Sequence, residues 1–215
     1  MNPRTLVVTI SRQYGSGGSY LGKSIAKKLG FQYFDREILR KAAEYLGTEE
    51  ADLSEREEKL STFMEKLSRT LLHGSPEATY LQPPIRPIYD RELYETESVI
   101  IREIAEKHNS VVVGRCGFHV LKGHPGLINI FVHAPLAFRT NRLMHVCSIS
   151  DDNEAGSTIR EMDYQRERFV NAMTGVKWTE ALNYHLSFDS SLSGFESGEN
   201  MIIKLVDNLK NNLSL

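Results

Sequence analysis

Residues 11–26 read SRQYGSGGSYLGKSIA, and Gly17 to Ser24 within them spell G-x-x-x-x-G-K-S, the pattern of a phosphate-binding loop. Two registers compete for that role. In such a loop consecutive backbone N–H groups converge on an anion and the positive end of the following helix adds to the field, so the helix must begin where the loop ends. Were Gly22-Lys23-Ser24 to open the helix, only Lys23 to Leu29 would remain before Gly30, about 10 Å of helix. The preceding strand, at about 3.3 Å per residue, is longer than that, and the crossover could not return to the sheet. A start near Gly18-Ser19 gives about 16 Å and places Leu21, Ile25 and Leu29 on one stripe. The spacing rejects the literal match. It puts the cradle at Arg12 to Ser19, RQYGSGGS, where Gly15, Gly17 and Gly18, with Ser16 among them, permit the positive φ and close backbone approach that an anion nest demands.

The register has a consequence for charge. The residue at the position expected of a phosphate-loop lysine is Gly18, so the cation must come from elsewhere. Arg12 is the natural substitute because a guanidinium binds phosphate oxygens bidentately. Lys23, more than a turn into the helix, is the second choice. Ser19 takes the place of the hydroxyl that reaches Mg²⁺.

Working outward, Leu6 to Ile10 is a short β-branched run read as a buried strand, and Phe31 to Phe34 is a second one. Asp35 is placed to cap a helix running through Ala43. Residues 48–72 interleave charges with Leu53, Leu60, Phe63, Met64, Leu67 and Leu71, an amphipathic pattern, and the Pro-rich stretch that follows reads as loop. A charged helix from about Asp90 to Lys107 leads to strands at Val111–Val113 and Leu127–Val132. Helices are expected over Pro135–Met144, Thr158–Met173 and Glu196–Leu213, with a weak fifth strand at His185–Phe188. Strands alternating with helices imply right-handed crossovers and a five-stranded, mainly parallel sheet flanked by helices. One α/β unit is expected: a core of residues 1–44 and 96–215, a helical insertion over 45–95, and a lid over 147–172 within the core.

The chain has 215 residues, is 40% hydrophobic and 25% charged, and carries a formal net charge of -2, which argues against non-specific adhesion to nucleic acid or to an anionic membrane. No apolar run reaches the length of a membrane span, and a cytoplasmic location is expected. Two cysteines, Cys116 and Cys147, are too few for a disulfide framework or a thiolate zinc site.

With the loop register in place, VVTISRQYGSGGSYLGKSIAKKLGFQYFDREIL resembles the start of the cytidylate kinase-like family, a branch of the P-loop nucleoside monophosphate kinases. ESVIIREIAEKHNSVVVGRCGFHVL, INIFVHAPLAFRTNRLM and the stretch from Asp163 to Ser191, with DYQRERF, TGVKW and NYHLSFDSS, agree with it. The resemblance implies a P-loop nucleoside monophosphate kinase fold with a helical acceptor-binding insertion and a mobile lid. It also implies transfer of the γ-phosphoryl group of ATP, with Mg²⁺, to CMP or dCMP. On it, Arg115 in VVVGRCG is a ligand of the acceptor phosphate or base. Cys116 stands where the family carries an Asp that helps to read the cytosine amino group.

Phosphoryl transfer asks mainly for positive charge and alignment, so arginines near the strand ends and on the lid are the parts to seek. Arg139, Arg142, Arg160, Arg166 and Arg168 follow the fourth strand. Arg166 and Arg168 are expected to close as a pair from the lid, with Arg12 as the third catalytic cation. Asp35, Arg36, Arg40, Arg115 and Asp163 are expected at the acceptor, although an N-cap suffices to explain Asp35 and an exposed helix position to explain Asp163. Gly15, Ser16, Gly17, Gly18 and Ser19 hold the donor phosphates. Two rival readings are a nucleotide-binding sensor with little activity, and a kinase for another small acceptor, since fold does not set function. In a phosphoryl-transfer assay Arg12→Ala is expected to lower turnover far more than Lys23→Ala; equal, small effects would refute this register.

Overall fold

In this computed structural model the described residues are 5–36 and 91–213. The expected insertion (45–95) falls almost wholly outside them, as do Arg40, the helix through Ala43 and the Pro-rich loop. The described elements are β1 (Val7–Arg12), α1 (Gly18–Leu29), β2 (Gln32–Phe34), α2 (Arg91–Lys107), β3 (Ser110–Val113) and α3 (Gly117–Val120). They continue with β4 (Leu127–His133), α4 (Leu136–Cys147), α5 (Asp152–Thr174), a 3₁₀ turn (Ala181–Asn183), β5 (Leu186–Asp189) and α6 (Ser190–Asn212).

The strands form one sheet in the order β2-β3-β1-β4-β5, with every neighbouring pair parallel. The chain leaves β1 toward the β2–β3 side and later crosses to β4, so the order reverses at β1. Open parallel sheets bind ligands at such a switch point, outside the carboxyl ends of the strands. Register sharpens the crevice. β3 pairs with β1 only as far as Val113 opposite Ile10, whereas β4 runs on to pair Val132 with Arg12. Ser11 and Arg12 thus extend past the end of β3, and Arg12 lies beside Gly114.

Apolar residues explain both faces of the sheet. Ile10 and Val113 face α1, and Thr9 and Val112 face α3 across Gly117. Leu21 and Ile25 of α1 and Ile101, Ile104 and Ala105 of α2 are buried in this core. A second, smaller cluster joins Tyr14, Leu143, Ala155, Ile159 and Met162 between α4 and α5. None of the described helices is long and apolar enough to cross a membrane.

Helix α1 begins at Gly18, with left-handed caps at Gly17 and Gly30, as the crossover length requires. Gly22, half of the literal G-K-S match, has a packing role: a Cβ there would stand 2.7 Å from Val113 Cγ2. Two boundaries differ from expectation. Helix α5 starts at Asp152 rather than Thr158, because Asp151 caps it by accepting from Asn153 N at 2.9 Å and its buried face opens at Ala155. Helix α6 starts at Ser190 under an Asp189 cap and is interrupted at Gly194 (φ 70°) before the expected helix. Gly22→Ala is expected to lower unfolding free energy by about 1–3 kcal/mol, the cost of overpacking. Denaturant titration reads this, while nucleotide affinity stays unchanged.

Candidate functional site

The turn after β1 is fixed by the protein on its outer side. Gln13 N donates to Val132 O (3.0 Å), Tyr14 N to Asp163 Oδ1 (2.7 Å), and Ser190 Oγ to Ser16 O (2.8 Å). The fully buried Ser16 hydroxyl lies 2.9 Å from Gln13 O and 3.1 Å from Val132 O. Arg139, from α4, donates to Tyr14 O (3.1 Å) and Ala134 O (2.8 Å) and pairs with Asp163. Inside, the N–H groups of Gly15, Gly17, Gly18 and Ser19 meet no acceptor among the described residues. Backbone donors at a helix N-terminus, left unmatched and held in place, form an anion nest. Gly15 and Gly17 have φ of 80° and 84°, and a Cβ on Gly17 would stand 2.2 Å from the Phe195 ring.

Arg12 takes the space a lysine at position 18 would need. A Cβ on Gly18 would stand 2.5 Å from Arg12 Cβ, and one on Gly114 would stand 2.3 Å from Arg12 Nη1. The side chain therefore threads between two glycines, with Nε buried and without a hydrogen-bond partner. Arg166, from α5, donates to Arg12 O at 2.8 Å and lies over the Tyr14 ring, 5.2 Å from its centroid. Burial, and then the Arg12 charge, push Arg166 down to about 9, which leaves it protonated at neutral pH. Burial also lowers Arg12, partly offset by Tyr33 and Asp35. Two desolvated cations held together call for an anion.

Two cavities meet at this pair. One, of about 420 Å³ including space open to solvent, is lined by Gly15, Gly17, Gly18, Ser19 and Arg142 together with Arg12 and Arg166. The other, of about 720 Å³ on the same measure, is lined by Arg36, Arg115, Cys116, Phe169 and Trp178, again with Arg12 and Arg166. In its wall Arg115 pairs through Nε and Nη2 with the buried Glu97 of α2 and lies over the Phe169 ring, 4.3 Å from its centroid. Gly114, Arg115 and Cys116 all have positive φ (81°, 50° and 56°), a costly run for two residues with side chains. Cys116 is buried, and desolvation pushes its thiol up to about 12, so it is a neutral group here.

The expected residues separate in this geometry. Arg12, Arg36, Arg115 and Arg166 come together, whereas Arg168 does not join Arg166: two residues along a helix point to different faces, and Arg168 is exposed over Tyr164. Asp163 is not an exposed carboxylate, since it clasps the loop through Tyr14 N and Arg139. Asp35 lies close enough to favour the Arg12 cation but lines neither cavity. Lys23 faces the Tyr33 ring, away from the nest. Ser19 has no hydrogen-bond partner and lines the loop cavity, so its hydroxyl fits as one oxygen ligand of a hard cation. Among the described residues no group of three or more His, Cys, Asp or Glu could hold a metal, so such a cation would share phosphate oxygens with Ser19.

Sequence reasoning did not assign a site role to Arg142, Gln165 or Glu97. Arg142 lies one turn beyond Arg139 and over Phe195, 4.7 Å from its centroid. Glu97 had a visible signal: it is the acidic member of the stripe Tyr94, Glu97, Ile101, Ile104.

A family profile described as the cytidylate kinase-like family matches residues 7–192. No curated protein gives a significant match. An uncharacterized protein from Eubacterium ventriosum ATCC 27560 superposes with a TM-score of 0.71 at 21% identity, over 94% of this chain and 99% of that one. A gluconokinase from Sinorhizobium meliloti 1021 does so with a TM-score of 0.53 at 14% identity, over 98% and 99%. At these identities the likeness shows the fold, that of P-loop kinases. Inorganic tripolyphosphate is expected to raise the stability of the protein, by about 2.7 kcal/mol at a hundredfold excess over Kd. Thermal unfolding should show a much smaller gain in Arg12→Gln.

Proposed function

Because the chain belongs to the cytidylate kinase-like family, we propose that it transfers the γ-phosphoryl group of ATP to a nucleoside monophosphate, giving the diphosphate. CMP and dCMP are the acceptors that the family resemblance names. The observation that carries this reading is that Arg12 and Arg166 line both cavities, so that two cations stand where a donor in one and an acceptor in the other would meet. In-line transfer between two anions needs this placement of charge.

In this reading the Gly15 to Ser19 backbone holds the donor phosphates and Arg142 covers them. A phosphate oxygen of the acceptor forms a bond to the γ-phosphorus as the bond to the β–γ bridging oxygen breaks, and ADP leaves with that electron pair. Arg12 and Arg166 balance the charge that spreads over the transferring group. Ser19 would hold Mg²⁺ together with the nucleotide, and the ion would supply further charge neutralisation there. Arg36 and Arg115 bind the acceptor, while Arg139 and Asp163 keep the loop in shape.

The test is chromatographic detection of ADP and diphosphate with ATP, Mg²⁺ and each of CMP, dCMP, UMP, AMP and GMP. A diphosphate from one of them is expected, with Arg166→Gln lowering turnover more than Arg168→Gln. No product from any monophosphate, with ATP binding shown separately, would turn the assignment to a sensor or to another acceptor.

A further inference from the structure

Within that reading, on which this inference rests, the wall of the larger cavity carries information about the acceptor's ring. Among the described residues that line it there is no aspartate or glutamate, while four arginines do line it. Three of them, Arg12, Arg36 and Arg166, stand together, since each of Arg12 and Arg36 acts on Arg166 as a like charge. They suit the phosphate end. Away from them the wall is formed by Cys116, Phe118, Phe169 and Trp178, and by Arg115. This part is flat, apolar and able to take an aromatic ring.

Arg115 is the one charged group in that part. Glu97 holds its Nε and Nη2, and the Phe169 ring fixes its plane, so the side chain is locked rather than mobile. Both partners are nearly inaccessible, with side-chain exposures of 7% for Arg115 and 1% for Glu97. Nη1 has no hydrogen-bond partner among the described residues and is left for a ligand. Guanidinium nitrogens only donate, and the Cys116 thiol is a weak donor. A ring that presents a carbonyl oxygen satisfies Arg115, whereas an exocyclic amine would set N–H against N–H with no carboxylate beside it to accept.

We infer that the acceptor is a nucleoside monophosphate whose base carries an oxo group at the edge where cytosine and adenine carry an amine. Uracil-type or hypoxanthine-type rings fit this description. Their ring N–H then meets the hydroxyl of Ser11 or the amide of Gln165, which also line the cavity. Arg115 determines specificity through Nη1, and Glu97 is a positioning residue that acts through it.

The experiment compares kcat/KM for paired acceptors that differ in this group, UMP against CMP and IMP against AMP, at saturating ATP. Preference for the oxo member of each pair by roughly 10- to 100-fold is expected, the range of one hydrogen bond to a charged group. Preference for CMP and AMP would overturn the inference while leaving the kinase reading intact. Absence of product from all four, with ATP bound, would overturn the kinase reading and this inference with it. Replacing the pair together, Glu97→Gln with Arg115→Met, avoids a lone buried charge. It should erase the oxo preference with the KM for ATP unchanged; an unaltered preference would also overturn the inference. If the double variant does not fold, calorimetric titration of the native protein with UMP and with CMP, beside a nonhydrolysable ATP analogue, decides the same point.

Discussion

The site depends on one buried cation without a protein partner at its Nε. Arg12 ends the central strand, passes between Gly18 and Gly114, and shares its carbonyl with Arg166. A guanidinium enclosed in this way is costly in the empty protein, and the surrounding fold must carry that cost. Much of the local sequence serves this end. Gly18 and Gly114 are small because Arg12 is there, and β3 stops two residues early, opening the place beside Gly114 that Arg12 occupies. Sheet register, glycine placement and arginine placement are thus one solution to one steric problem. In it the usual lysine of a phosphate loop has no room.

The rest of the site is arranged to keep that cation and its neighbour aimed at two ligands at once. Interactions that do not touch a ligand do most of the holding. Asp163 joins the loop to α5, Arg139 joins the loop to α4, and Glu97 joins the end of β3 to α2. Each is a partly or fully buried charged contact. Contacts of this kind add little net stability but are expensive to break, so they fix geometry more than they raise the folding free energy. The left-handed run at Gly114, Arg115 and Cys116 is one place where that fixed geometry shows as backbone strain.

Much of this was legible in the sequence for a physical reason. A helix must be long enough to return the chain beside its strand, and that requirement alone moved the loop from Gly17–Ser24 to Arg12–Ser19, where the structure places α1 from Gly18. The five strands were readable as β-branched runs. Helix α5 was less so, because Asp151 and the first turn look like a polar linker until Ala155 and Ile159 are seen to be buried. Side-chain direction within a charged helix was the weakest signal. Arg166 and Arg168 are nearly indistinguishable as letters, and only the packing of Met162, Phe169 and Val170 decides which of them turns inward. Glu97 was overlooked for the opposite reason: an acid inside an apolar stripe signals a buried partner, and the partner, Arg115, lies eighteen positions away in the chain.

The clasp of Asp163 on the loop carries a consequence for motion. Its two oxygens hold Tyr14 N and Arg139, and the same helix delivers Arg166 three residues later. Loop and helix therefore move as a single rigid piece, in which the nest cannot deform while α5 stays docked. A nucleotide entering this crevice meets a surface already shaped for its phosphates. Any gating by α5 would have to dismantle the nest as well, which makes the helix a poor hinge and a good anvil.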